Sequence, residues 1–176
     1  MTHTLADQPA IETERLVLRA PRRSDAGLVA HYAGDERVAR MTTSIPHPLP
    51  PGAAEAFVAK SLEADPKERV WVMDAPGLSE LIGLVSLDRV GEGRCEIGYW
   101  IAPAFWSTGY ASEAVGGLLD ANPLGCEVVF ASVFQDNPAS ARVLTGAGFA
   151  YLGDAEAFSV ARGARVPTWT YSRRMG

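Results

Sequence analysis

The segment Cys95-Glu96-Ile97-Gly98-Tyr99-Trp100-Ile101 leads into Ala102-Pro103-Ala104-Phe105-Trp106-Ser107-Thr108-Gly109-Tyr110-Ala111-Ser112-Glu113-Ala114-Val115-Gly116-Gly117. Its first part reads as a strand, its middle as a tight loop around Gly109, and its end as the first turns of a helix. The loop from Trp106 to Ser112 holds no acidic residue. The helix after it directs unpaired backbone N–H groups and its positive dipole end back at that loop. A backbone arranged in this way binds phosphate.

Upstream, the turn Gly91-Glu92-Gly93 delivers the chain antiparallel into this segment, after two strands, Val70–Met73 and Leu81–Leu87, joined through Pro76-Gly77. Downstream, Ala114, Val115, Leu118 and Leu119 mark one helical face, and Asn122-Pro123-Leu124-Gly125 breaks the helix. Val128–Phe134 is an apolar run with Ser132 as its only polar member, which predicts a strand buried on both faces and reached by a parallel crossover. Asn137 caps the next helix with Pro138 at its first position, and Gly146 and Gly148 end it. Phe149–Leu152 and Val166–Ser172 read as closing strands with a loop through Gly163 between them.

Towards the N-terminus, Thr13–Arg19 alternates with period two and predicts a first strand with Leu16 and Leu18 facing inward. Ser24 is read as the cap of a helix whose positive end Asp25 supports and whose face carries Leu28, Val29 and Tyr32. A short helical turn around Glu36–Met41 follows. Ile45–Pro51 is a stiff proline-rich connector, also readable as a PxxP ligand, whose last proline begins a helix with Phe57, Val58, Ser61 and Leu62 inward. Asp65-Pro66 ends that helix. The order of elements predicts one α/β domain with a mixed sheet.

A chain of 176 residues buries roughly 70% of its extended surface. With 47% apolar and 21% charged residues it reads as a soluble globular protein, without a membrane span or a signal peptide, and so as cytoplasmic. A net charge of −5 with no cluster beyond Arg19, Arg22 and Arg23 argues against a nucleic-acid partner. Cys95 and Cys126 lack zinc or dithiol spacing and read as two buried small hydrophobes. His3, His31 and His47 form no ligand pattern, so no metal is expected.

Three motifs together resemble the GNAT superfamily of acetyltransferases, in the branch of the ribosomal-protein N-terminal (alanine/serine) acetyltransferases. They are Thr13–Arg19, then Glu96–Ile101 running into Trp106–Ala114, and then Asn137–Leu144 ending at Gly148-Phe149. The resemblance covers nearly the whole chain. It implies a single domain over residues 1–176, with 1–10 as a flexible extension, and a mixed, mostly antiparallel central sheet splayed in the middle and flanked by helices. The chain departs from the pattern at Trp106, where the superfamily has Gln or Arg, and at Ser107, where the branch has glycine. Leu144 stands where many members place a catalytic tyrosine.

The resemblance also implies acetyl-CoA as co-substrate, with its pyrophosphate on the loop Trp106, Ser107, Thr108, Gly109, Tyr110, Ala111 and Ser112. Its pantetheine arm would pair near Ile101 and Ala102 and touch Asn137 and Ser140. Glu96 is the expected base, acting directly or through water, and Ser140 the expected donor to the leaving thiolate. Tyr99, Trp100, Phe105 and Trp106 are read mostly as core, with one face open to an acceptor pocket completed by the Thr42–Pro51 connector and the loop before Trp169. The acceptor is a primary amine: a protein N-terminus, or a small molecule such as an amino acid, a polyamine or an antibiotic. The alternative of another class is a non-catalytic acyl-CoA sensor. Both a monomer and a homodimer fit the resemblance.

Overall fold

The computed structural model describes residues 8–63 and 68–176. The strand expected over Thr13–Arg19 is shorter: Thr13–Leu16 forms a turn in which the Thr13 N–H donates to the Leu16 carbonyl, only Val17–Arg19 is strand (β2), and a short β1 (Ile11–Glu12) precedes the turn. Leu16 and Leu18 are buried, as their alternation predicts. Gln8 is buried and donates from Nε2 to the Val70 carbonyl at 2.6 Å, so the expected flexible extension does not reach residue 8.

The expected Ser24 cap is corrected. Ser24 is exposed, within a 3₁₀ turn (Arg23–Asp25) that precedes α1 (Ala26–Ala33). The Asp25 carboxylate instead accepts from the Arg22 N–H at 2.7 Å and from both terminal nitrogens of Arg19 at 2.9 Å. A carboxylate satisfies more donors than a hydroxyl, and here it ties the helix entry to β2. Next come α2 (Glu36–Ala39) and α3 (Ala53–Ser61). Pro51 does not begin α3: the chain turns through Gly52 at φ 81°, with the Ala53 N–H on the Pro50 carbonyl. Ala54 and Val58 carry its buried side, while Phe57, Ser61 and Leu62 are half-buried. The expected stop at Asp65-Pro66 lies outside the described residues.

Strands β3 (Glu68–Ala75), β4 (Ser79–Gly91) and β5 (Arg94–Ile101) form the predicted antiparallel meander. The helix α4 (Tyr110–Ala121) buries Ala114, Val115, Leu118 and Leu119 and ends at Asn122 in the left-handed region. It crosses to β6 (Val128–Phe134), which runs parallel to β5. The expectation that β6 is buried on both faces is corrected: Val129, Ala131 and Val133 are buried, whereas on the other face Ser132 is exposed, Val128 and Phe130 are half-buried and only Phe134 is buried. Val129, Ala131 and Val133 pack in the layer with α4 and Leu144. Helix α5 (Pro138–Gly146) and the hairpin β7 (Ala150–Ser159) and β8 (Ala164–Arg174) complete the chain. The order β1-β2-β3-β4-β5-β6-β8-β7 makes one eight-stranded mixed sheet.

Two apolar layers hold the sheet. Trp71, Met73, Val85, Ile97 and Leu118 belong to the layer under α4 and α5; Val70, Val72 and Leu84 pack with Val29, Ala54 and Val58 of α1 and α3. Cys95 and Cys126 are both buried, but they are not free thiols, because a disulfide joins them. It staples β5 to the segment that enters β6. Disulfides persist mainly in oxidising surroundings, so this bond bears directly on the cytoplasmic expectation. No helix among the described residues is long and apolar enough to cross a membrane.

Candidate active site

The sheet forks between β5 and β6. Pairing runs only from Arg94↔Val128 to Glu96↔Phe130, and beyond Glu96 the two parallel strands diverge. A cleft of about 1180 Å³ occupies the fork. Residues from both faces of the sheet line it, including Glu96, Tyr99, Gly109, Ser132, Asn137 and Ser140.

On one face lies the loop before α4. Ser107 adopts φ 61° and Gly109 φ 84°, and the backbone N–H groups of residues 107–112 have no acceptor among the described residues. This run of free donors at a helix N-terminus, without a nearby carboxylate aimed into it, fits a phosphate chain. The one acid of the first turn, Glu113, is turned outward: it accepts from Thr13 Oγ1 and the Arg15 N–H, each at 2.6 Å, and from Arg15 Nε at 2.7 Å. Desolvation works to raise its carboxyl pKa, but the hydrogen bonds from Thr13 and Arg15 and the Arg15 charge together outweigh it and hold the value below that of an ordinary glutamate. Arg15 also donates to the Thr108 carbonyl and stacks over the Tyr110 ring, bracing the loop from behind. Sequence reading missed this role. The only signal was an arginine in the first motif, with nothing to connect it to a residue about a hundred positions away.

Ser107, where the branch pattern has glycine, adopts the left-handed conformation. That backbone costs a residue with a Cβ about 1 kcal/mol or more. Ser107→Gly is therefore expected to raise stability by about 0.5 kcal/mol, after the greater freedom of glycine in the unfolded chain is counted. Urea denaturation measures it.

Ile101 and Ala102 separate. The Ala102 N–H donates to the Ile82 carbonyl at 2.8 Å, its carbonyl accepts from the Phe105 N–H, and the residue is fully buried. Both its backbone groups are thus occupied inside the fold. Antiparallel alternation then turns the Ile101 backbone towards the fork. There the Trp106 indole Nε1 donates to the Ile101 carbonyl at 2.8 Å, so only the Ile101 N–H is left for a ligand. Trp106 itself is exposed, unlike a core aromatic.

Helix α5 brings the third motif to the same side of the sheet. The Asn137 side chain accepts from the Ser140 N–H at 3.3 Å, as its capping position predicts. Arg162, in the β7–β8 turn, holds the preceding Asp136 with bonds of 2.6 and 3.0 Å and also donates to the Arg40 carbonyl. These contacts hold the start of α5 against the segment after α2. Leu144 is fully buried. The Tyr99 hydroxyl lies 2.7 Å from Ser140 Oγ and 3.1 Å from the Ser140 carbonyl. Burial pushes the Tyr99 phenol up to about 12, with the Ser140 hydrogen bond opposing that shift, so it is neutral near pH 7.

The other face carries acid. Glu68↔Asp88 and Asp88↔Glu96 are directly opposite pairs, so three carboxylates stand in a row across β3, β4 and β5. Like charges placed opposite one another repel. Glu96 is exposed to the open cleft, yet partial desolvation of its carboxyl there raises its pKa above the ordinary value, and Asp88 and Glu68 add to the shift. Glu68, also exposed, is raised chiefly by partial desolvation of its carboxyl, with Asp88 adding to the shift and Ser86 and Lys60 opposing it. Asp88 Oδ1 is buried without a hydrogen-bond partner among the described residues. Thr42, Ser44 and Pro46 of the connector and Thr168 before Trp169 line the cleft here, with Trp100 beside them. No group of three potential metal ligands occurs among the described residues.

Residues 15–150 match the family model of the acetyltransferase (GNAT) domain. A protein of Bacillus subtilis (strain 168), the uncharacterized N-acetyltransferase YoaA, is 28% identical over 169 residues, covering 93% of this chain and 96% of that protein. The solved structure of ribosomal-protein-S5-alanine acetyltransferase from Vibrio fischeri superposes with a TM-score of 0.80 at 21% identity, covering 95% of this chain and 97% of that one. Spermidine N-acetyltransferase from Vibrio cholerae, solved with CoA and spermine, gives 0.77 at 21% identity, covering 92% and 96%. At these identities the two structures speak for the fold, whereas the family match spans more than half of the sequence. The forked sheet, the amide-lined loop and this match together place the chain in the GNAT acetyltransferase family.

Proposed function

We propose that the protein is an acetyl-CoA-dependent N-acetyltransferase that acylates a primary amine by direct attack within a ternary complex. The observation that carries this reading is the cleft through the fork, with free backbone donors on one face and a carboxylate row on the other. Acetyl-CoA supplies the activated acyl group as a thioester. The N–H groups of residues 107–112 hold its phosphates, the Ile101 N–H and Asn137 steady its arm, and Ala102 supports the strand end without contact.

An amine with a free pKa of about 8 to 10.4 arrives protonated and must lose a proton before it can attack. Glu96 stands where the strands part, and its raised pKa suits it to accept that proton directly or through water. Ser140, at the start of α5, donates a hydrogen bond to the departing thiolate, helped by the positive end of the helix.

The acceptor has two readings. The branch resemblance favours a protein N-terminal α-amine. The row Glu68, Asp88 and Glu96 favours a small cationic amine, because an ammonium relieves the repulsion within the row. A non-catalytic acyl-CoA sensor is the reading that a turnover assay separates from both. CoA release from acetyl-CoA is followed with a panel of N-terminal peptides, amino acids, polyamines and aminoglycosides. Release above hydrolysis with any member supports the transferase and identifies its acceptor class. Binding of acetyl-CoA without release from the whole panel supports the sensor.

A further inference from the structure

We infer that Tyr99 is a positioning residue for Ser140, its phenol reaching from β5 to α5 to set the direction in which the serine hydroxyl donates. This rests on the reading of the cleft as an acyl-CoA site. Ser140 is held at three atoms: its N–H by Asn137, and its carbonyl and Oγ by Tyr99.

The phenol has one proton and two possible acceptors. Ser140 lies in the first turn of α5, where its carbonyl already has the intrahelical acceptor role towards the N–H four residues on. The Ser140 hydroxyl has no other hydrogen-bond partner among the described residues. The phenol proton therefore does most on Oγ. A serine oxygen that accepts from Tyr99 keeps its own proton free to point elsewhere, and Ser140 lines the cleft. With the phenol proton on the carbonyl instead, the serine proton would turn back to Tyr99 and present lone pairs to the cleft. Negative charge gathering on a sulfur selects the first arrangement.

Tyr99 does not itself hand over a proton, since its phenol is held neutral by burial and a buried phenolate is disfavoured. It acts through Ser140. The fully buried Leu144, one turn further along α5, offers no polar group for this task. In this chain the neighbouring strand supplies the phenol.

The test compares the wild type, Tyr99→Phe, Ser140→Ala and the double variant. The first readout is the ratio of affinities for CoA and desulfo-CoA, measured by calorimetry at about pH 9; the second is kcat at saturating acetyl-CoA. A hydrogen bond to a charged group predicts a wild-type preference for CoA of about tenfold, falling to about twofold in either single variant. The double variant is expected to match Ser140→Ala, because Tyr99 has no effect except through that hydroxyl. In turnover the same variants lower kcat by about tenfold with little change in the KM for acetyl-CoA.

A CoA preference that is absent in the wild type, unchanged in Tyr99→Phe, or reduced further in the double variant overturns the inference. If the wild type transfers no acetyl group but the preference and its loss are seen, the transferase reading fails and the role of Tyr99 stands. If acetyl transfer is seen and Tyr99→Phe leaves the preference unchanged, the transferase reading stands and the role of Tyr99 fails. Tyr99→Phe removes a single oxygen, and a thermal midpoint within about 4 °C of the wild type shows that the fold is intact.

Discussion

Glu96→Gln lowers kcat by about a hundredfold or more at saturating acetyl-CoA, the range expected when a general base is removed. The amide keeps the shape of the carboxylate, but it takes no proton from the attacking amine. In the wild type, kcat/KM falls on the acid side with a midpoint above the usual glutamate value, because partial desolvation in the cleft and the neighbouring Asp88 and Glu68 raise the Glu96 pKa. The variant loses that limb. Loss of turnover through unfolding is not expected. A carboxyl group whose pKa is higher in the folded state than in the unfolded chain binds protons more readily when folded, so its contribution to stability declines as pH rises through that window. Replacing it with a neutral amide removes this penalty, and Glu96→Gln unfolds in urea at the same or a higher concentration than the wild type. A variant with full turnover and an unchanged pH profile would show that the base lies elsewhere.

Arg19→Met lowers the stability of the fold by about 3 to 5 kcal/mol, the cost of breaking a buried ion pair from one side. Arg19 donates from Nε to Asp74 at 2.9 Å, from its terminal nitrogens to both oxygens of Asp25, and to the Ala20 and Glu80 carbonyls. Its side chain is 8% exposed and that of Asp25 is 2% exposed. Burial works against the charge of Arg19, and the hydrogen bonds to Asp25 and Asp74 more than restore it, so its pKa is raised. Methionine fills much of the space but leaves two carboxylates without their cation. Arg19→Lys retains the charge and loses the planar fork, so its loss is expected to be roughly half as large. Urea titration of the three proteins measures the order, and a methionine variant as stable as the wild type would refute it. The network joins β2, β3 and the entry to α1.

Much of the fold was legible because its elements are locally coded. Short apolar runs bounded by the Pro76-Gly77 and Gly91–Gly93 turns mark β3 to β5, helical spacing marks the buried face of α4, and Asn137-Pro138 marks the start of α5. The misread details share a different origin. Ser24 looks like a cap only while Asp25 has no partner, and its partner Arg19 lies on β2. Val128–Phe134 reads as buried on both faces because composition records apolar residues without recording that the neighbouring strand turns away. The pairing of Cys95 with Cys126 joins positions 31 residues apart and had no motif to announce it.

The site divides in the same way. The segment Cys95–Gly117, read alone, already contains the strand, the backbone loop and the proposed base, since phosphate binding at a helix N-terminus depends on consecutive residues. Tertiary structure alone decided what that segment meets. It set Arg15 behind the loop, occupied the Ala102 backbone inside the sheet, carried the Tyr99 phenol to Ser140, and aligned Glu68 and Asp88 with Glu96. Those relations depend on sheet register and on the divergence of β5 from β6, and both arise from how distant strands pack together.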